Sequence, residues 1–161
     1  MLDMAGACMT QGRHEEADAI VGEVARNAHD SDALLAKARQ LYEESGRGEA
    51  GAQVLAAATS DVRKLNNEGV ILAHKGDFKG AMERMRQACR EAPFNPRILM
   101  NGVWVMLKFI EQSGMDNDLL EEAIRLLGEV EKQAPGHARI TGLRNQLKEV
   151  ETRFGIRRRA A

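Results

Sequence analysis

Residues 65–93, LNNEGVILAHKGDFKGAMERMRQACREAP, constrain the fold more than any other part of the chain. They read as two helices joined by a tight turn through Lys75, Gly76, Asp77 and Phe78. Gly76 falls where a helix ends, because the residue after the last turn usually adopts a left-handed conformation that glycine takes without strain. Asp77 follows as an N-cap whose carboxylate accepts backbone N–H bonds from the next helix. Gly69 and Ala81 carry almost no side chain, so two antiparallel helices can cross closely there. Phe78, Met82 and Met85 fall on one side of the second helix, and Ala88, Cys89 and Ala92 continue that side. Pro93 stops the helix. One hairpin cannot bury its own apolar side, so neighbours of the same form are required.

The same residues resemble the tetratricopeptide repeat, a helix–turn–helix unit of about 34 residues with conserved Trp, Leu, Gly, Tyr, Ala, Phe and Pro positions. Leu65 stands in the Trp position, Gly69 in the Gly, Leu72 in the Tyr, Ala81 in the Ala, Met85 in the Phe and Pro93 in the Pro. Glu68 departs from the pattern at its first Leu. The resemblance implies an all-α, right-handed superhelical stack of antiparallel helix pairs, a solenoid of about seven or eight helices. Such an array binds partners and performs no chemistry.

Further repeats follow in degraded form. Residues 1–30 place Gln11, Gly12, Arg13 and His14 in the turn, with Ala17, Val21 and Val24 in the apolar positions. A helix over 31–42 carries Leu34, Leu35, Ala38, Leu41 and Tyr42 on one face, with Ser31 as its N-cap. Its partner is expected from Glu49 to about Thr59, and a new helix from near Val62. After Pro93, Asn95 caps and Pro96 opens a long helix bearing Ile98, Leu99, Val103, Met106, Phe109 and Ile110. Asp118 to Glu121 reads as a variant capping box for the next helix, where Ala123, Leu127 and Val130 repeat the apolar pattern before Pro135. The last helix, 137–154, shows Ile140, Leu143, Leu147, Val150 and Phe154 on one side and polar residues on the other, as a terminal cap requires. The expected organisation is one domain over 1–154, with repeats near 1–30, 31–61, 62–95 and 96–136, a capping helix at 137–154 and a basic tail at 155–161.

Composition narrows the function. Apolar residues make up 43% of the 161 and aromatics only 4%, which suits stacked helices rather than a sheet. A net charge of −1 offers no global basic field for nucleic acid. No apolar run approaches the roughly 18 residues of a membrane span, and the N-terminus lacks a basic start followed by an apolar block. No membrane partner is expected, and the cytoplasm is the expected compartment.

Chemical readings are weak throughout. Cys8 and Cys89 lie on apolar helix faces and fit inert thiols. His14, His29, His74 and His137 are scattered without the spacing of a helical metal site. Asp116, Asn117 and Asp118 open like a calcium loop but lack its Gly and distant Glu, so helix capping explains them. No nucleophile, base and orienting group assemble. Neither catalytic residues, metal ligands nor cofactors are expected.

In arrays of this resemblance the first helix of each repeat lines a concave groove. That places Arg63, Asn66, Asn67, Val70 and His74 on one helix and Arg97, Asn101, Trp104, Val105 and Lys108 on the next. Arg63 and Asn67 share the spacing of Arg97 and Asn101. Amides bond an extended backbone and guanidinium groups grip carboxylates. The resemblance to the family's carboxylate-clamp members implies a clamp for an acidic peptide, the alternative being a solvated polar groove face with another partner, a peptide or helical segment. The expected function is a protein–protein interaction scaffold, with self-association as a homo-oligomer the alternative. The ALLAKAR, LYEESG, LNNEGV, RILMNGVWVML and APGHARI segments further resemble the C-terminal helical output module of bacterial two-component response regulators. That resemblance implies a signalling role.

Overall fold

A computed structural model describes residues 1–156; the expected tail residues Arg157, Arg158 and Arg159 lie outside them. The described chain is all-α, with eight helices and no strand. In order they are α1 (Leu2–Thr10), α2 (His14–Asn27), α3 (Asp32–Glu44), α4 (Gly48–His74), α5 (Phe78–Glu91), α6 (Pro96–Ser113), α7 (Asn117–Gln133) and α8 (Ala138–Arg153). Among the described residues no helix is long and apolar enough to cross a membrane. The helices form two compact units, Met1–Leu65 with Glu91–Asn95, and Asn66–Arg90 with the chain from Pro96 onward.

The first unit closes around Tyr42, whose side chain is fully buried with Ala17, Val21, Leu35, Ala38 and Leu55. Gly51 allows α4 to approach it, since a Cβ there would overlap the Tyr42 ring. A buried phenol must satisfy its hydroxyl, and Tyr42 Oη donates to Asp18 Oδ1 at 2.7 Å. Arg47 grips the same carboxylate with both Nη atoms at 2.9 Å and lies 5.6 Å over the Tyr42 ring. The Arg47 bonds hold the Asp18 carboxyl below the usual aspartate range, with the Tyr42 hydroxyl adding to the effect. Burial, and then Asp18, push the phenol of Tyr42 up. Elsewhere in this unit Asn95 is fully buried. Its amide donates to Asn27 O at 2.8 Å and Asp30 Oδ1 at 2.9 Å, and Phe94 N–H donates to Asn27 Oδ1 at 2.8 Å. The short segment Glu91–Asn95 is thereby tied to the connection between α2 and α3.

Three expectations are corrected here. The break between Thr59 and Val62 is absent, because α4 continues from Gly48 to His74. Nothing in 59–62 stops a helix: no Gly or Pro stands there, and Thr59 Oγ1 donates back to Leu55 O at 2.9 Å within the helix. Leu34 is 42% exposed rather than packed with Leu35. Finally, Asp116 caps α7, accepting from Leu119 N at 3.0 Å, in place of the capping box at Asp118.

The second unit is built on α6, which is buried on nearly every side by α7, α8 and the face of α5 bearing Phe78, Ala81 and Met85. Gly69 and Ala81 meet at the crossing of α4 and α5: a Cβ at Gly69 would come 3.3 Å from the Ala81 carbonyl and 3.1 Å from Met85 Cγ. Gly102 plays the same part on α6, where a Cβ would lie 2.9 Å from Cys89 Sγ. Burial, and then the charge of Glu122, push the Cys89 thiol up to about 12.

Two outcomes are expected. Gly69→Ala forces Met85 and the α5 backbone aside, at a cost of about 1–3 kcal/mol, measured by urea unfolding; an unchanged midpoint would show that the crossing tolerates a methyl. Asp18 has a lower value folded than unfolded, so its stabilisation is complete above the ordinary aspartate range and is lost as pH falls through the lowered value. The stability deficit of Asp18→Asn should therefore shrink as the pH drops from neutral toward about 3. A deficit independent of pH would assign the titration to another group.

Candidate functional site

The end of α4, the start of α6 and the start of α8 enclose a cavity of about 440 Å³ in the second unit. Its lining is Asn66, Asn67, Val70, Ile71, Arg97, Asn101 and Arg139. Five of these are residues singled out from the sequence as groove contacts, Asn66, Asn67, Val70, Arg97 and Asn101. The other five singled-out positions stand apart from it, Val105 fully buried in the core. Arg63 belongs to the first unit, where its guanidinium donates to the His29 carbonyl. His74 and Trp104 pair with each other, ring centroids 5.2 Å apart and tilted by 43°. Lys108 is neutralised by Glu111 at 2.7 Å, and the second oxygen of Glu111 accepts from Gln146 at 3.0 Å.

Within the cavity the polar groups form one directed chain. Arg139 Nη1 donates to Asn101 Oδ1 at 2.7 Å. Asn101 Nδ2 donates to Asn66 Oδ1 at 2.7 Å, and Asn66 Nδ2 to Asn67 Oδ1 at 3.4 Å. A guanidinium has donors and no acceptor. Its contact therefore fixes which atom of the Asn101 amide is oxygen, and that choice fixes Asn66 and then Asn67 in turn. The chain ends on the Nδ2 of Asn67, an exposed residue.

This order changes the reading of the amides. Asn66 and Asn101 were expected to present free amides to a ligand. Both are 6% exposed and bonded to each other, so they orient their neighbours instead. What faces the opening are the exposed Asn67, Arg97 and Arg139. Among the described residues neither arginine makes an ion pair. The Arg139 guanidinium is held below its usual value, first because its surroundings shield it from water and second by the charge of Arg97. Neither α6 nor α8 carries an acidic residue in its first turn, where each places its arginine, so the positive ends of two helices add to the field.

Arg139 was missed in the sequence, yet it left a signal. Arg97 and Arg139 each stand four residues beyond a helix-ending proline, Pro93 and Pro135, and each is followed by Ile. Ile71, half-exposed beside the cavity, fits no apolar face and gave no signal at all.

Among the described residues no three His, Cys, Asp or Glu side chains gather as a metal site. Comparison with the models of known protein families, with curated proteins and with solved structures finds no match. The site is therefore read from its own chemistry. Asn101→Ala removes the acceptor of Arg139 and the donor to Asn66 together. It should cost about 1–3 kcal/mol in urea unfolding, whereas Arg97→Ala should stay within about 0.5 kcal/mol of the parent. Equal effects would show that the amide chain contributes nothing to the fold.

Proposed function

We propose that this chain is a protein–protein interaction scaffold of the tetratricopeptide-like kind, binding a segment of a partner polypeptide through Asn67, Arg97 and Arg139. The observation that carries this reading is the composition of the cavity. Its exposed polar groups are hydrogen-bond donors, flanked by the apolar Val70 and Ile71. No lining residue is a carboxylate, imidazole, hydroxyl or thiol, so the cavity offers neither a general base nor a nucleophile. Donors beside an apolar rim suit an acidic peptide, whose carbonyls and carboxylates accept while a neighbouring side chain packs. The solenoid arrangement and a role as the output module of a two-component protein belong to this same proposal and rest on the sequence resemblances. A cytoplasmic setting belongs to it as the default for a chain with no membrane span or secretory start in its sequence.

A second reading has one observation in its favour. Met1, Met4 and Leu34 of the first unit are large apolar side chains left 59%, 55% and 42% exposed, and a second copy of the chain would cover them.

Selection from a displayed peptide library should return acidic sequences. Arg97→Ala should weaken the selected peptides about tenfold without altering the thermal melt. Failure to select any peptide, together with concentration-dependent dimers in light scattering, would transfer the assignment to self-association.

A further inference from the structure

The cavity is built for more negative charge than a single carboxylate carries. Arg97 makes no hydrogen bond and no ion pair among the described residues, and Arg139 engages only one Nη, toward a neutral amide. Of the other arginines in the same unit, Arg84 meets Glu68, Arg86 meets Glu122 and Arg144 meets Glu131, while Arg90, Arg125 and Arg153 make no ion pair among the described residues. Arg97 and Arg139 differ from these in sharing one cavity. Two guanidinium groups carry positive charge and no acceptor. Here they line one cavity with no carboxylate between them.

The amide chain then sets which ligand atoms fit. The three side-chain oxygens of the site, on Asn101, Asn66 and Asn67, each already accept a bond from a neighbour. A ligand group that must donate, such as an ammonium, meets repulsion from the two guanidinium groups. A group that only accepts finds the unused N–H groups of Arg97 and Arg139 and the Nδ2 of Asn67.

We propose that this cavity is a phosphoryl site that recognises a phosphorylated side chain on the partner segment, with Arg97 and Arg139 neutralising the dianion and Asn67 donating to a remaining oxygen. A phosphate monoester carries about −1.5 to −2 at pH 7 and three acceptor oxygens, which matches two guanidinium groups and one amide; a carboxylate carries half that charge and two oxygens. Val70 and Ile71 at the rim supply contact for the residue beside the phosphorylated one, which favours a polypeptide over a free anion. The inference rests on the reading of this unit as a polypeptide-binding scaffold.

The test uses fluorescence anisotropy with the full chain and three degenerate heptapeptide pools, centred on phosphoserine, Glu or Ser, with inorganic phosphate as a fourth ligand. The phosphoserine pool should bind at least about tenfold tighter than the Glu pool and lose affinity below about pH 6, where the phosphate takes its second proton. Arg97→Ala and Arg139→Ala should each weaken it about tenfold, while Arg144→Ala leaves it unchanged. Arg97 makes no internal bond, so its variant keeps the test decisive even if Arg139→Ala unfolds, which circular dichroism detects. Equal affinity for the Glu and phosphoserine pools overturns the phosphoryl assignment and leaves peptide binding standing. So does binding of library-selected peptides by a chain that ignores the phosphoserine pool. Inorganic phosphate binding as tightly as the phosphoserine pool overturns the polypeptide part, and affinity unaltered by Arg97→Ala places the site elsewhere.

Discussion

Helices pack side by side only as closely as their side chains allow, and in this protein three glycines set that distance. Gly51 makes room for the Tyr42 ring, Gly69 for Met85 and the carbonyl of Ala81, and Gly102 for the sulfur of Cys89. At each point an added methyl would crowd a side chain already packed against the glycine. The consequences reach well beyond the crossings. Tyr42 is fully buried because α4 can approach α3, and its buried hydroxyl then requires the carboxylate of Asp18, which in turn holds Arg47. Cys89 packs against Gly102, and its burial pushes the thiol up.

The cavity between α4, α6 and α8 follows from the same tight packing joined to one fact of side-chain chemistry. Burying Asn66 and Asn101 is costly unless their amides are bonded, and the bonds available run in one direction because Arg139 can only donate. The site is thus polarised before any ligand arrives, with donors left at its mouth. A preorganised set of donors binds an acceptor without first reorienting, which keeps the cost of binding low. The cationic character of the opening and the buried amides behind it are two parts of one arrangement.

Much of this was legible in residues 65–93 alone. The turn at Gly76 and Asp77 stands as read: Gly76 has φ of 83°, and Asp77 Oδ1 accepts from Gly80 N at 3.0 Å. Local signals of this kind act over a few residues and survive any tertiary setting. The failures came where a local signal was missing or ambiguous. Thr59, Ser60 and Asp61 resemble a helix boundary, yet with no glycine or proline to end the turn the helix simply continues. Asp116 and Asp118 are both able to cap, and only the path of the chain after Gly114 selects the first.

The sequence by itself determined the helical class, nearly every helix end and the apolar faces, because capping, glycine turns and the 3.6-residue period are properties of neighbouring residues. It also grouped Asn66, Asn67, Arg97 and Asn101, which line one cavity in the structure. Only the tertiary structure decided which of them are exposed at the cavity and which are buried behind it. Burial of Asn66 and Asn101, the arrival of Arg139 from α8, and the separation of Lys108 into an ion pair with Glu111 all depend on contacts between residues far apart in the chain. Which way an amide points, and whether a charge is free or matched, is set by the groups brought against it.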